Sequence, residues 1–105
     1  MKELYHLCIS SPNEVLFRKE DDINMCLNLI ALTAFKTNSL ILADSLMSNH
    51  IHLVLETDIM KSFILTFKER YFKYFNKSYS VTRSRPIFDD ISFFCLKLSG
   101  WHHVV

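Results

Sequence analysis

Two β-like runs, Leu40–Met47 and His50–Leu55, are separated only by Ser48-Asn49. Two intervening residues are short enough for a tight hairpin turn, so the centre of the chain is expected to form an antiparallel pair. Periodicity changes on either side of it. Before it, Ile23, Cys26, Leu27, Ile30 and Ala34 follow the i, i+3, i+4, i+7 spacing of one helix face. Asp21 and Asp22 precede that stripe, where negative charge suits the positive end of the helix dipole, and Lys36-Thr37-Asn38 is the expected stop. After the hairpin, Met60, Phe63, Ile64, Phe67, Tyr71, Tyr74 and Phe75 keep helical spacing, which predicts a longer helix over Met60–Phe75.

Leu4–Ser10 is short, apolar and aromatic and reads as a first strand. Ser10-Ser11-Pro12-Asn13 is turn chemistry, followed by a short apolar stretch, Val15-Leu16-Phe17. The order is therefore β, α, β, β, α. One more strand, for which Ile91–Leu98 is the weakly alternating candidate, completes an α+β, ferredoxin-like βαββαβ sandwich: an antiparallel sheet with helices on one face. At 105 residues and 50% hydrophobic content, with no repeat or linker, residues 1–105 read as a single domain.

Several function classes are excluded or disfavoured. The chain holds one glycine, Gly100, so it has no Gly-rich phosphate loop of the P-loop or Rossmann kind. Cys8, Cys26 and Cys95 are odd in number and widely spaced, suggesting neither a disulfide framework nor a Cys-based zinc site. No apolar run is long enough to cross a bilayer, and the start MKELYHLC lacks the features of a signal peptide. A reducing, cytoplasmic location without membrane association is the expectation.

The net charge of +1 conceals an asymmetry. Residues 1–60 carry a net −4, residues 61–85 a net +6, and the remainder a net −1. Lys61, Lys68, Arg70 and Lys73 fall mostly off the apolar stripe of the second helix, and Lys77, Arg83 and Arg85 extend the cluster into a polar stretch. A basic cluster of this kind fits a phosphate-binding surface, although on charge alone a solvated helix face is the favoured reading. Lys68, Arg70, Lys73, Lys77, Arg83 and Arg85 are the candidate phosphate contacts.

The chemistry-bearing feature is LMSNHIHLVLE, residues 46–56. Alternation along a strand puts His50 and His52 on one face, and Ile51, Leu53 and Leu55 on the other. Two imidazoles on one face can both reach one cation. A bare His-x-His is more often an exposed polar pair, but the flanking residues say more. The segment resembles the Met-Pro-Asn-His-hydrophobe-His-Leu-Leu-Leu signature of the REP-associated tyrosine transposases. These are single-domain enzymes of the HUH (His-hydrophobe-His) superfamily. Tyr5-His6 resembles the family's opening strand, FKERYFKYFN over Phe67–Asn76 its long basic helix, and SRPIF over Ser84–Phe88 the segment that follows. The resemblance runs in order and register over residues 4–90.

That resemblance implies DNA transposition by metal-dependent cleavage and rejoining of single-stranded or hairpin DNA through a 5′-phosphotyrosine intermediate. His50 and His52 would bind Mg2+ or Mn2+, and the protein would work as a homodimer. Two departures stand out. Ser48 occupies the family's proline position, a minor change in a turn. More seriously, no tyrosine follows Tyr79, and SFFCLKLSGWHHVV does not resemble the family's nucleophile helix. After about residue 90 that helix is missing or divergent, as in a truncated piece, a fragment or a decayed copy. No catalytic tyrosine is assigned. Tyr71 and Tyr74 lie on the apolar stripe, Tyr5 on the first strand, and Tyr79, the least constrained, has no family counterpart. Asn49 and Glu56 are not assignable as a third ligand, although Glu56 shares the histidine face. His102 and His103 have no family counterpart and read as an exposed tail pair.

Competing readings are a catalytically incomplete DNA-binding remnant, another HUH nuclease of the replication-initiator or relaxase type, and a small structural metal-binding or protein-interaction domain.

Overall fold

The computed structural model describes residues 2–11, 15–79 and 90–95, with Asp90, Phe94 and Cys95 described by backbone alone. Arg83, Arg85, the SRPIF segment, the end of the expected last strand beyond Cys95 and the His102-His103 tail lie outside the described residues.

The elements are β1 (Glu3–Ser10), α1 (Glu20–Lys36), β2 (Leu40–Met47), β3 (His50–Thr57), α2 (Met60–Ser78) and β4 (Asp90–Cys95). The strands form one four-stranded sheet in the order β2-β3-β1-β4, and all three pairings are antiparallel. This is the ferredoxin-like arrangement expected from the sequence.

The sheet is two-faced because its central strands alternate cleanly. Leu7 and Ile9 of β1, and Ile51, Leu53 and Leu55 of β3, are fully buried beneath the helices. Complete burial of a side chain this size contributes about 1.5–3 kcal/mol. Helix α2 packs through Met60, Phe63, Ile64, Phe67, Tyr71 and Phe75, the expected stripe, and runs one turn further than its apolar pattern. Leu16 and Phe17 join the core, Phe17 edge-on to the Tyr71 ring and the Tyr71 hydroxyl donating to the Leu16 carbonyl at 2.7 Å.

Helix α1 departs from expectation. Its buried face is Asp22, Cys26, Ile30, Thr33 and Ala34, whereas Ile23 and Leu27 are 39% and 38% exposed. The helix is turned so that two polar residues enter the interior, each with a partner. The Thr33 hydroxyl donates to the Leu29 carbonyl at 2.7 Å. Asp22, in the first turn, reaches back to accept the Arg18 N–H at 2.9 Å, one residue before the N-cap Lys19. At the other end Asn38 takes a positive φ of 52°, and the Ser39 N–H donates to the Ala34 carbonyl at 2.8 Å. That is a Schellman-type stop with asparagine in the left-handed position.

The Ser48-Asn49 turn is tied down from outside. The Leu16 N–H donates to the Ser48 carbonyl at 2.7 Å and the Ser11 N–H to the Asn49 carbonyl at 2.9 Å. Strand β2 lies at the sheet edge, and its register slips between Ile41 and Ala43, leaving an extra residue as in a β-bulge.

Candidate functional site: a histidine and cysteine cluster on the open sheet face

The face of the sheet away from the helices carries the residues of opposite parity to the core: His6 and Cys8 from β1, and His50 and His52 from β3. Register brings them together. Cys8 is paired with His52, Ser10 with His50, and His6 with Val54. His50 and His52 share this face, as alternation predicts, and are half-buried. Their ring centroids are 5.0 Å apart with planes perpendicular.

The sequence marks His6 only through the Tyr5-His6 resemblance and does not mark Cys8, and it assigns neither to the histidine pair. Neither belongs to a local motif with the histidine pair, and only the β1–β3 register places them beside it. The His6 and His52 rings stack at 5.2 Å, and His6 Nε2 lies 3.1 Å from His52 Nδ1. Cys8 Sγ lies 4.0 Å from His52 Nε2. His50 Nδ1 lies 3.0 Å from the side-chain oxygen of Asn49. An amide oxygen only accepts, so Nδ1 is the donor in this contact. Burial, then the neighbouring His50 and His6, lower the pKa of His52 from its usual 6.5, favouring a neutral ring at pH 7. Histidine binds metal through one ring nitrogen while the other is held by a neighbour, and both rings have Nδ1 engaged. They fit a divalent cation as a pair of nitrogen donors. Among the described residues no three His, Cys, Asp or Glu side chains are arranged to hold one as they stand. Glu56 shares the face but stands four residues from His52, about 13 Å along the strand.

The tyrosines lie elsewhere. Tyr5 has the parity of Leu7 and packs edge-on against Phe93 at 5.8 Å, against the core. Tyr71 is fully buried. Tyr74 and Tyr79 both donate hydroxyl hydrogen bonds to the carboxylate of Asp22, Tyr74 at 2.6 Å. Tyr79, expected to be the least constrained, is therefore anchored. The Arg18 guanidinium also sits over its ring, 4.6 Å from the centroid, and burial and the Asp22 carboxylate push its pKa up to about 12. All four tyrosines of the chain lie in or under the helix layer, on the far side of the sheet from the histidines.

The basic residues are also separated from the histidines. Lys68, Arg70, Lys73 and Lys77 lie off the buried stripe of α2, Lys73 and Lys77 exposed and Lys68 and Arg70 half-buried on its flanks. Arg70 and Lys73 line a surface groove of about 390 Å3 with Leu29, Thr66 and Glu69, and Lys73 pairs with Glu69 at 3.1 Å. The four described phosphate-contact candidates on α2 and the expected metal ligands thus lie on opposite sides of the sheet.

No protein-family model and no curated protein sequence matches this chain. Solved structures do match its fold. A candidate transposase from Deinococcus radiodurans R1 superposes with a TM-score of 0.70 at 13% identity, over 99% of this chain and 88% of the other. A REP-associated tyrosine transposase, solved bound to a REP hairpin, superposes with a TM-score of 0.71 at 13% identity, over 97% of this chain. The chain spans 62% of the length of that transposase. Among the described residues no helix is long and apolar enough to cross a membrane.

Proposed function

With the fold of a REP-associated tyrosine transposase as the premise, we propose that this chain is a transposase-like domain of the HUH type that binds single-stranded or hairpin DNA. The observation that carries the reading is the His50–His52 pair on the open face of this sheet, both rings set with Nδ1 engaged. Lys68, Arg70, Lys73 and Lys77 on α2 supply phosphate contacts that are independent of base sequence. In the full reaction the domain takes part in DNA transposition, by cleavage and rejoining through a 5′-phosphotyrosine.

His50 and His52 would hold the divalent cation, Mg2+ or Mn2+, through their Nε2 atoms. When bound, that ion neutralises charge developing on the scissile phosphate. Asn49 and His6 orient the two rings, and the apolar residues beneath them fix the strand. The hydroxyls of Tyr74 and Tyr79 are held on Asp22, and Tyr5 and Tyr71 are packed in the core layer. None of the four faces the histidines. This favours a second reading, in which these residues form a DNA-binding domain without a nucleophile of their own.

The test uses a labelled DNA hairpin with single-stranded flanks and Mn2+, comparing the chain with its His50→Ala/His52→Ala variant. Salt-sensitive binding without a covalent adduct is the expected result. An adduct that the double variant fails to form would overturn the placement of the nucleophile outside these tyrosines. Absence of binding at low salt would sink the DNA reading itself.

A further inference from the structure

The open sheet face also carries a sulfur donor, Cys8, which a site made of the two histidines alone does not use. We propose that Cys8 joins His50 and His52 as a third protein ligand. The face then becomes a His2Cys site for a thiophilic divalent cation such as Zn2+, with one position left open. The inference rests on the metal-bearing role of the histidine face and goes beyond it by assigning a cysteine and a class of ion.

Cys8 and His52 are direct partners across the β1–β3 ladder, and Sγ stands 4.0 Å from Nε2. Zn–S and Zn–N bonds of about 2.3 and 2.0–2.1 Å at a tetrahedral angle place the two donor atoms about 3.6 Å apart. The observed pair exceeds that by about 0.4 Å, within reach of a small rotation of the Cys8 side chain. Two imidazoles on one ion at those bond lengths have centroids about 5 Å apart, and those of His50 and His52 are 5.0 Å apart. The three donors do not converge as they stand, and binding would draw them together by side-chain rotation. Binding deprotonates the thiol, and its proton passes to solvent. Imidazole with thiolate selects zinc, cobalt and similar ions, whereas magnesium requires carboxylate, carbonyl or water oxygens. His6 and Asn49, at the Nδ1 atoms of His52 and His50, supply the outer-shell orientation that such ligands take.

The test is a Co2+ titration of the whole chain, followed by absorption. A sulfur-to-cobalt charge-transfer band in the near ultraviolet is expected. It should persist in a Cys26→Ala/Cys95→Ala variant, vanish in Cys8→Ser and in His50→Ala/His52→Ala, and be displaced by stoichiometric Zn2+ but not by excess Mg2+. Cys8→Ser should weaken binding at least about tenfold. As a check independent of any variant's folding, Zn2+ should protect Cys8 of the native chain from alkylation. Co2+ binding without the band, a band that survives Cys8→Ser, or no Co2+ binding would overturn the proposal. Hairpin-DNA binding measured on the same samples separates the two failures: if it persists while the band is absent, only the cysteine assignment falls.

Discussion

The hydroxyl of Tyr79 donates a hydrogen bond to the buried carboxylate of Asp22, 57 residues earlier in the chain. With the bond from Tyr74, it ties the C-terminal end of α2 to the first turn of α1. Removing it should loosen the junction of the two helices without touching the histidine face. Tyr79→Phe is expected to lose about 2 kcal/mol of stability, the range for a hydrogen bond to a charged group, and to leave Co2+ and DNA binding unchanged. Urea melts alongside a binding titration check this, and loss of DNA binding in a fully folded variant would contradict it.

The same carboxylate sets an acid limit. Burial alone would raise the Asp22 pKa, but hydrogen bonds from Tyr74, Tyr79 and the backbone at Arg18 and Lys19 outweigh it, and the net shift is downward from 3.8. A carboxyl with a depressed pKa contributes stability that is complete above its unfolded value and is lost as pH falls through its folded value. Thermal melts of the native chain should therefore drop below about pH 4. Asp22→Asn should be less stable near neutrality and should lose part of that acid dependence. Identical pH profiles for the two proteins would rule the mechanism out.

At high pH the sign reverses for Tyr79. Its pKa is raised from 10.0 to about 12, so the folded state holds a proton that the unfolded chain has lost. Stability should decline from pH 10 upward, and Tyr79→Phe should remove that share of the decline. Absorbance titration of tyrosinate in the native chain and in the variant would detect the late-titrating phenol.

These couplings also mark where the sequence was and was not readable. The hairpin at Ser48-Asn49, the α2 stripe and the alternation of β3 are local patterns, and each forms as its spacing dictates. The α1 stripe misled because Ile23 and Leu27 are apolar at helical spacing, whereas Asp22 and Thr33 hold equally helical positions on the buried face but are polar. The face that packs is decided by Tyr74 and Tyr79, more than fifty residues downstream, which give Asp22 its partners. Likewise His50 and His52 announce themselves, but His6 and Cys8 become neighbours only through strand register. Distance from the motif along the chain, rather than residue type, hid them.

Core and surface positions on the two helices should separate cleanly. Phe67 is fully buried, whereas Leu27 is 38% exposed despite its place in the apolar period. Phe67→Ala should cost about 3–5 kcal/mol, as truncation of a buried aromatic does, and Leu27→Ala no more than about 1 kcal/mol. Denaturant midpoints of the two variants give the comparison. Equal losses would mean that α1 packs by its periodic stripe after all.

The last prediction concerns the two faces. Lys73 and Lys77 point outward from α2, whereas His50 and His52 lie on the far side of the sheet. If DNA reaches the helix side through its phosphates, each lysine removed should lower the slope of log affinity against log salt by about 0.7–0.9, the share of one phosphate contact. Lys73→Ala also removes the exposed pair with Glu69, but such a pair is worth at most about 1 kcal/mol, so folding should persist. Metal binding should be indifferent to both lysines. Because the two sets are apart and share no partner, combined lysine and histidine variants should show additive effects on DNA affinity within about 0.5 kcal/mol. Strong non-additivity in a salt series would show instead that one DNA segment couples the faces around the sheet edge.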